Sequence, residues 1–227
     1  MTDVPVPAAA TAMPVAISPA LRSSQAAIDL IVAEEVSSPA TYQKLYQSPT
    51  WPGGMSGVTI GIGYDCGYST PDVIAADWSG RIPGNMVRSL EGVAGVHGSP
   101  AHALAHELHF VTVPFGVAMD VFKLRDMPKW ERIVAHALPN TDKLSADSFG
   151  ALVSLTYNRG ASYTLAGDRY AEMRGIRALM GAGQFERIPD EFRSMKRLWP
   201  NALGLRLSRD HEAALFEKGL VPAEAVA

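Results

Sequence analysis

An α+β fold, mostly helical with a small β-sheet near the N-terminus and a cleft between two lobes, is predicted by three features of the sequence. Residues 58–65, VTIGIGYD, are the one strongly strand-like stretch, with apolar and small or polar residues in alternation. From Thr70-Pro71 onward the apolar residues recur at helical spacing, interrupted by Gly, Pro and Asn. Residues 149–157, FGALVSLTY, are apolar nearly all round, the pattern of a central helix buried on every side. Elements segregated in this way make an α+β arrangement, and a groove between a sheet-bearing lobe and a helical lobe suits an extended ligand.

Taken in order, residues 1–19 read as a flexible Pro/Ala leader, with four prolines and no Lys or Arg. A secretory signal needs a basic start and a proline-poor apolar segment, so the expectation is a chain made in the cytoplasm without one. The first helix is expected from Pro19 to Val36, with Ser18 as N-cap, stopped by Ser37, Ser38 and Pro39. A turn-rich region with Pro49, Pro52, Gly53, Gly54 and Gly57 then leads into the strand. Helices are expected at 71–79, 84–94, 100–109, 115–137, 146–158, 168–181, 185–198 and 206–218. One domain thus covers residues 20–220, and 221–227 are a C-terminal tail.

Composition narrows the function. Hydrophobic residues make up 47% and charged residues 19% of the 227, enough for a well-buried core. The lone cysteine, Cys66, leaves no internal disulfide to form. A net charge of −3 and a pI near 6.1 argue against nucleic acid as a partner. No apolar run approaches the roughly 18 residues that span a bilayer, so no stable membrane insertion is expected.

The chemistry-bearing residues begin on the first helix. Leu21, Ile28, Ile31 and Val32 form one stripe, and Glu35 falls near its middle, with Glu34 about 100° away. A carboxyl at the end of an apolar stripe is partly desolvated, which raises its pKa and keeps it protonated near neutrality. The alternative is a helix already ended, with both glutamates solvated. On the strand, Val58, Ile60, Ile62 and Tyr64 share one face, and Thr59, Gly61, Gly63 and Asp65 the other. An extended strand would hold Thr59 and Asp65 about 20 Å apart, so sharing a site requires the glycines at 61, 63 and 67 to turn the chain back. The plainer reading is a turn aspartate and an ordinary strand threonine.

These residues carry a resemblance. Glu35, with Tyr42 seven positions later and then Thr59-Ile60-Gly61-Ile62-Gly63, resembles the opening of the phage-type lysozymes of glycoside hydrolase family 24. That family has an aspartate before its strand, whereas residues 36–58 hold no Asp or Glu. The pesticin-like muramidases, which share the lysozyme fold, are similar here: their second carboxylate follows the strand threonine by six positions, as Asp65 follows Thr59. Residues 149–160, FGALVSLTYNRG, and 204–219, GLRLSRDHEAALFEKG, are similar to the buried helix and the Arg-rich C-terminal helix of phage endolysins.

The resemblance implies a lysozyme-like fold with its active site in the cleft, and hydrolysis of bacterial peptidoglycan. Glu35 would be the general acid, Asp65 the second carboxylate, and Thr59 the residue positioning water, with no cofactor and no metal. Tyr64, although on the core face of the strand, joins Asn158 and Arg159 as an expected substrate contact. The alternative for Asn158-Arg159-Gly160 is a simple helix C-cap. The expected setting is the periplasm or cell wall, reached through a holin or a secretion system, for a monomer whose protein partners would be an immunity protein or delivery machinery.

Two rivals stand beside this reading. HALAHELH, residues 102–109, puts His102, His106 and His109 on one helix face, the makings of a zinc hydrolase, though the spacing is not HExxH. A lysozyme fold could also serve as a non-catalytic wall-binding module.

Overall fold

The computed structural model describes residues 22–220; the expected leader, the Ser18 cap and the C-terminal tail lie outside them. Within them the chain is mostly helical, with one two-stranded antiparallel sheet toward its N-terminal part.

Helix α1 (Gln25–Val36) starts later than its apolar stripe suggests. Ser24 is extended and its hydroxyl accepts the Ala27 N–H at 3.1 Å, so the cap sits there. The expected stop at Ser37-Ser38-Pro39 is also a start. The Ser38 hydroxyl accepts the Thr41 N–H, and Pro39 enters at the first turn, where its missing N–H costs nothing, opening α2 (Pro39–Leu45). This short helix, where turns were expected, buries Tyr42, whose hydroxyl donates to the Val113 carbonyl at 2.9 Å.

The strand-like stretch does turn back. Strand β1 (Thr59–Ile60) and strand β2 (Tyr64–Asp65) pair antiparallel, with Thr59 opposite Asp65 and Ile60 opposite Tyr64. Gly61 and Gly63 take φ of +66° and +71°, a region that side-chain-bearing residues avoid, and the three-residue turn depends on them. Val58, Ile60, Ile62 and Tyr64 are all buried, as the alternation predicts.

The rest is helical: α3 (Pro71–Trp78), α4 (Gly84–Glu91), α5 (Ser99–Glu107), α6 (Phe115–Val121), α7 (Met127–Ala137), α8 (Ala146–Arg159), α9 (Ala171–Ala182), α10 (Ile188–Ser194) and α11 (Leu203–Leu220). Helices α6 and α7 are one continuous run over 115–137, joined by a π-helical segment at Phe122–Asp126. Pro128 supplies a reason: its ring cannot coexist with a normal bond to the carbonyl four residues back, at Leu124, and the wider π turn relieves the clash.

Helix α8 is the hub. Every residue from Ser148 to Thr156 is buried, and α1, α7 and α11 pack around it. Three neighbours explain why its sequence lacks a polar face. Among the described residues, no helix is long and apolar enough to cross a membrane.

Candidate active site

Glu34 and Glu35 end α1 at an open groove of about 410 Å3, also lined by Ala33, Asn158, Gly204, Leu207 and His211. The C-terminal turns of α1 and α8 and the start of α11 meet there. The two glutamates differ in company. Glu34 is half-buried and faces α11, where Ser208, Arg209 and His211 offset the cost of burying its charge. Glu35 is raised first by desolvation and then by the negative charge of Glu34, with no cation to oppose either. Its side chain still reaches solvent. Both carboxyls are thus raised; Glu35 is the more exposed of the two, and the one whose shift no cation opposes.

Beneath the groove, Arg209 and Glu212 form a fully buried pair, both 0% exposed, with Nε to Oε2 at 2.6 Å. The Ser154 hydroxyl donates to Glu212 at 2.9 Å, and Arg209 reaches Asn158 Oδ1 at 3.3 Å. Burial pushes Glu212 up, against the pull of Arg209. The pair ties α11 to α8 and fixes Asn158 at the groove wall.

The hairpin holds the other expected residues. Register sets Thr59 directly across from Asp65, which removes the distance problem posed by an extended strand. The Asp65 carboxylate accepts the Gly57 N–H at 3.0 Å and the Gly67 N–H at 2.8 Å, the latter capping the short 3-10 turn Cys66–Tyr68. A side chain at position 57 would strike Asp65 Oδ1, so glycine is needed for the cradle. Asp65 therefore also fills the plainer role of a turn aspartate, and Thr59 Oγ1 donates to the Gly57 carbonyl at 3.3 Å.

Not every expected residue faces the groove. Asn158 does; Arg159 is its neighbour in sequence only. Its guanidinium stacks over Trp199, 4.8 Å from the ring centre, and bonds the Arg169 carbonyl. Gly160 ends the helix as a C-cap, with φ +72°. Tyr64 is 7% exposed and donates to Asp77 at 2.9 Å, inside the protein. The core face of the strand decides its place, and a direct glycan contact does not fit it. Thr59 and Asp65 do not line the groove that holds Glu35.

One side chain links hairpin and groove. The Tyr157 hydroxyl lies so close to Gly63 that a Cβ there would sit 2.9 Å from it. Burial raises Tyr157, and the charges of Glu35 and Asp126 raise it further. Tyr157 and Asp126 were missed in the sequence. Tyr157 sat one residue before the Asn-Arg-Gly signal, and Asp126 lay in a stretch with no motif.

The three histidines do not converge. His102 stacks on Trp51 at 5.0 Å, and the His106 and His109 rings are 6.5 Å apart on an exposed face. Among the described residues, no group of three His, Cys, Asp or Glu side chains is placed to hold a metal ion.

The chain matches no protein-family model, and its sequence finds no match among curated proteins.

Proposed function

We propose that this chain is a muramidase: a lysozyme-like glycoside hydrolase that cleaves the β-1,4 bond between N-acetylmuramic acid and N-acetylglucosamine in peptidoglycan. The observation that carries the proposal is the pairing of Thr59 with Asp65 across a hairpin whose turn rests on Tyr157, a residue within the field of Glu35.

The roles follow from the surroundings. Glu35, raised by burial and by Glu34, delivers its proton to the glycosidic oxygen as that bond breaks. Asp65, held by two backbone N–H groups, faces the positive charge that develops on the sugar ring. Thr59 orients the water that attacks the anomeric carbon, and Asp65 takes its proton. Direct attack by water calls for a carboxyl separation of about 6.5–9.5 Å and gives inversion. The setting is the cell wall or periplasm, reached by holin-dependent release or dedicated export.

The test is loss of turbidity of purified cell walls, followed by mass analysis of the released sugars. Reducing muramic acid ends support the proposal. Anhydro ends would replace hydrolysis by transglycosylation, and walls bound but uncut would mean a binding module.

A further inference from the structure

Three short segments meet beside the Asp65 cradle, residues 51–57, 65–70 and 92–102, and none of them carries a lysine or an arginine. Gly57 and Gly67 form the seam. A Cβ at position 57 would strike Asp65 Oδ1 and the Gly67 backbone, and one at position 67 would strike Gly57 and His97 Nδ1. Asp65 thus lies at one end of a packed strip, and the His97 imidazole at the other.

Two rings stand on that strip, pinned by one carbonyl. Met55 O accepts the Tyr68 hydroxyl at 3.4 Å and the His97 Nδ1–H at 3.2 Å. A bond to a carbonyl requires the proton on Nδ1, so the neutral ring keeps Nε2 as an acceptor. The ring centres are 4.6 Å apart and the planes tilted by 57°, so His97 does not cover the face of Tyr68. Tyr68 is 73% exposed, and Met55 beside it 69%. The loops beneath are tied down. Gly98 N–H donates to the Ser56 carbonyl at 3.0 Å, Gly95 N–H to the Cys66 carbonyl at 3.2 Å, and Trp51 Nε1–H to Ser56 at 3.0 Å. Two large apolar side chains exposed side by side on so firm a base mark a contact surface.

We infer that Tyr68 and His97 form a stacking platform for a neutral pyranose, the sugar next along the strand from the one facing Asp65. The identity of that strand rests on the muramidase reading; the platform itself rests on its own geometry.

The chemistry selects the ligand. A pyranose presents a face of C–H groups rimmed by hydroxyls. The C–H face lies against the Tyr68 ring, and the rim meets the His97 nitrogen and the Tyr68 oxygen. With no lysine or arginine in any of the three segments, an anionic polymer finds little to pair with. Two apolar side chains are too few to seat the protein in a membrane. Because the rings are fixed before the sugar arrives, little conformational entropy is lost on binding. The sugar also sits away from the bond being cut, so the platform holds substrate and transition state alike. It lowers KM and leaves kcat alone.

Two measurements on the full chain test this. The first titrates the β-1,4-linked tetramer of N-acetylglucosamine into the Glu35→Gln protein and follows the Tyr68 and His97 ring protons by NMR. Both sets should shift. Tyr68→Ala should weaken binding about tenfold, whereas Tyr68→Phe, which keeps the ring, should stay within about threefold. The second is the rate of wall clearing against wall concentration, where Tyr68→Ala should raise KM about tenfold with kcat held within about twofold. Ring signals indifferent to the saccharide, or a Tyr68→Ala protein that binds it as tightly as its parent, would overturn the inference. A fall in kcat at unchanged KM would place Tyr68 in the chemistry and overturn it too. Saccharide bound at Tyr68 in a chain that cuts no walls would overturn the muramidase reading and leave the platform standing. If Tyr68→Ala melts below its parent, the titration of the unsubstituted ring still decides.

Discussion

Asp126→Asn should change how the stability of the protein depends on pH, and the size of the change can be worked out. The carboxyl goes from an ordinary 3.8 to about 7 on folding, because a half-buried anion beside Asp77 is poorly solvated. Between those two values the folded state binds more protons than the unfolded one, so stability falls as pH rises through the window. The shift corresponds to about 4 kcal/mol in full, and solvent screening at a half-buried position trims this to about 3 kcal/mol. Asparagine carries no proton to lose and keeps nearly the same shape. Thermal unfolding of both proteins, at steps from pH 4 to pH 8, should show the native curve falling faster. The gap between the curves should change by about 6–12 °C over that range, at about 2–4 °C per kcal/mol for a chain of this size. Glu34, Glu35 and Glu212 are also raised, but both proteins share them, so their contribution cancels in the difference. Two curves running parallel from pH 4 to pH 8 would show that Asp126 titrates normally, and the argument from its burial would fail.

Four further outcomes are expected. Glu35→Gln should remove wall lysis by a factor of 100 or more while circular dichroism and melting stay native, whereas Glu34→Gln should retain most activity; the reverse pattern would move the acid by one residue. Asp65→Asn should cost about 100-fold in rate, measured on the same walls, with the Cys66–Tyr68 turn loosened as a lesser effect. Gly63→Ala should destabilise the fold by about 1–3 kcal/mol in denaturant titrations, since φ is +71° and the new methyl meets the Tyr157 hydroxyl. Arg209→Met should cost about 3–5 kcal/mol by the same measurement, because it leaves Glu212 buried and alone, and replacing both residues by apolar ones should recover much of that.

Local signals made much of the helical framework legible. The 115–137 periodicity ran straight through the π segment, because Pro128, the second residue of α7, suits the first turn of a helix and leaves the apolar spacing unchanged. The glycines at 61 and 63 announced that VTIGIGYD could fold back, and they do so at positive φ. Helix α2 was hidden because Ser38-Pro39 is both a stop and a start, and only the burial of Tyr42 favours the second. Glu35 was legible from its stripe. The contrast with Glu34 was not, since it depends on Arg209 and His211, more than 170 residues away. Asp126 was invisible for the same reason: what marks it is burial near Asp77 of α3, which only the fold brings about.

The all-round burial of α8 has a consequence for how the protein is made. Residues 148–156 present apolar surface in every direction, and one of their covers, α11, spans 203–220. During synthesis that helix emerges well before its last partner does. At about 5–20 residues per second, some seconds pass in which a sticky, nearly uncharged cylinder protrudes from the ribosome half-wrapped. Closure then requires Arg209 and Glu212 to shed water together, since either one docking alone would bury an uncompensated charge. The nascent chain is thus a natural client for chaperones that bind apolar helices, and release of α11 is the step at which it stops being one.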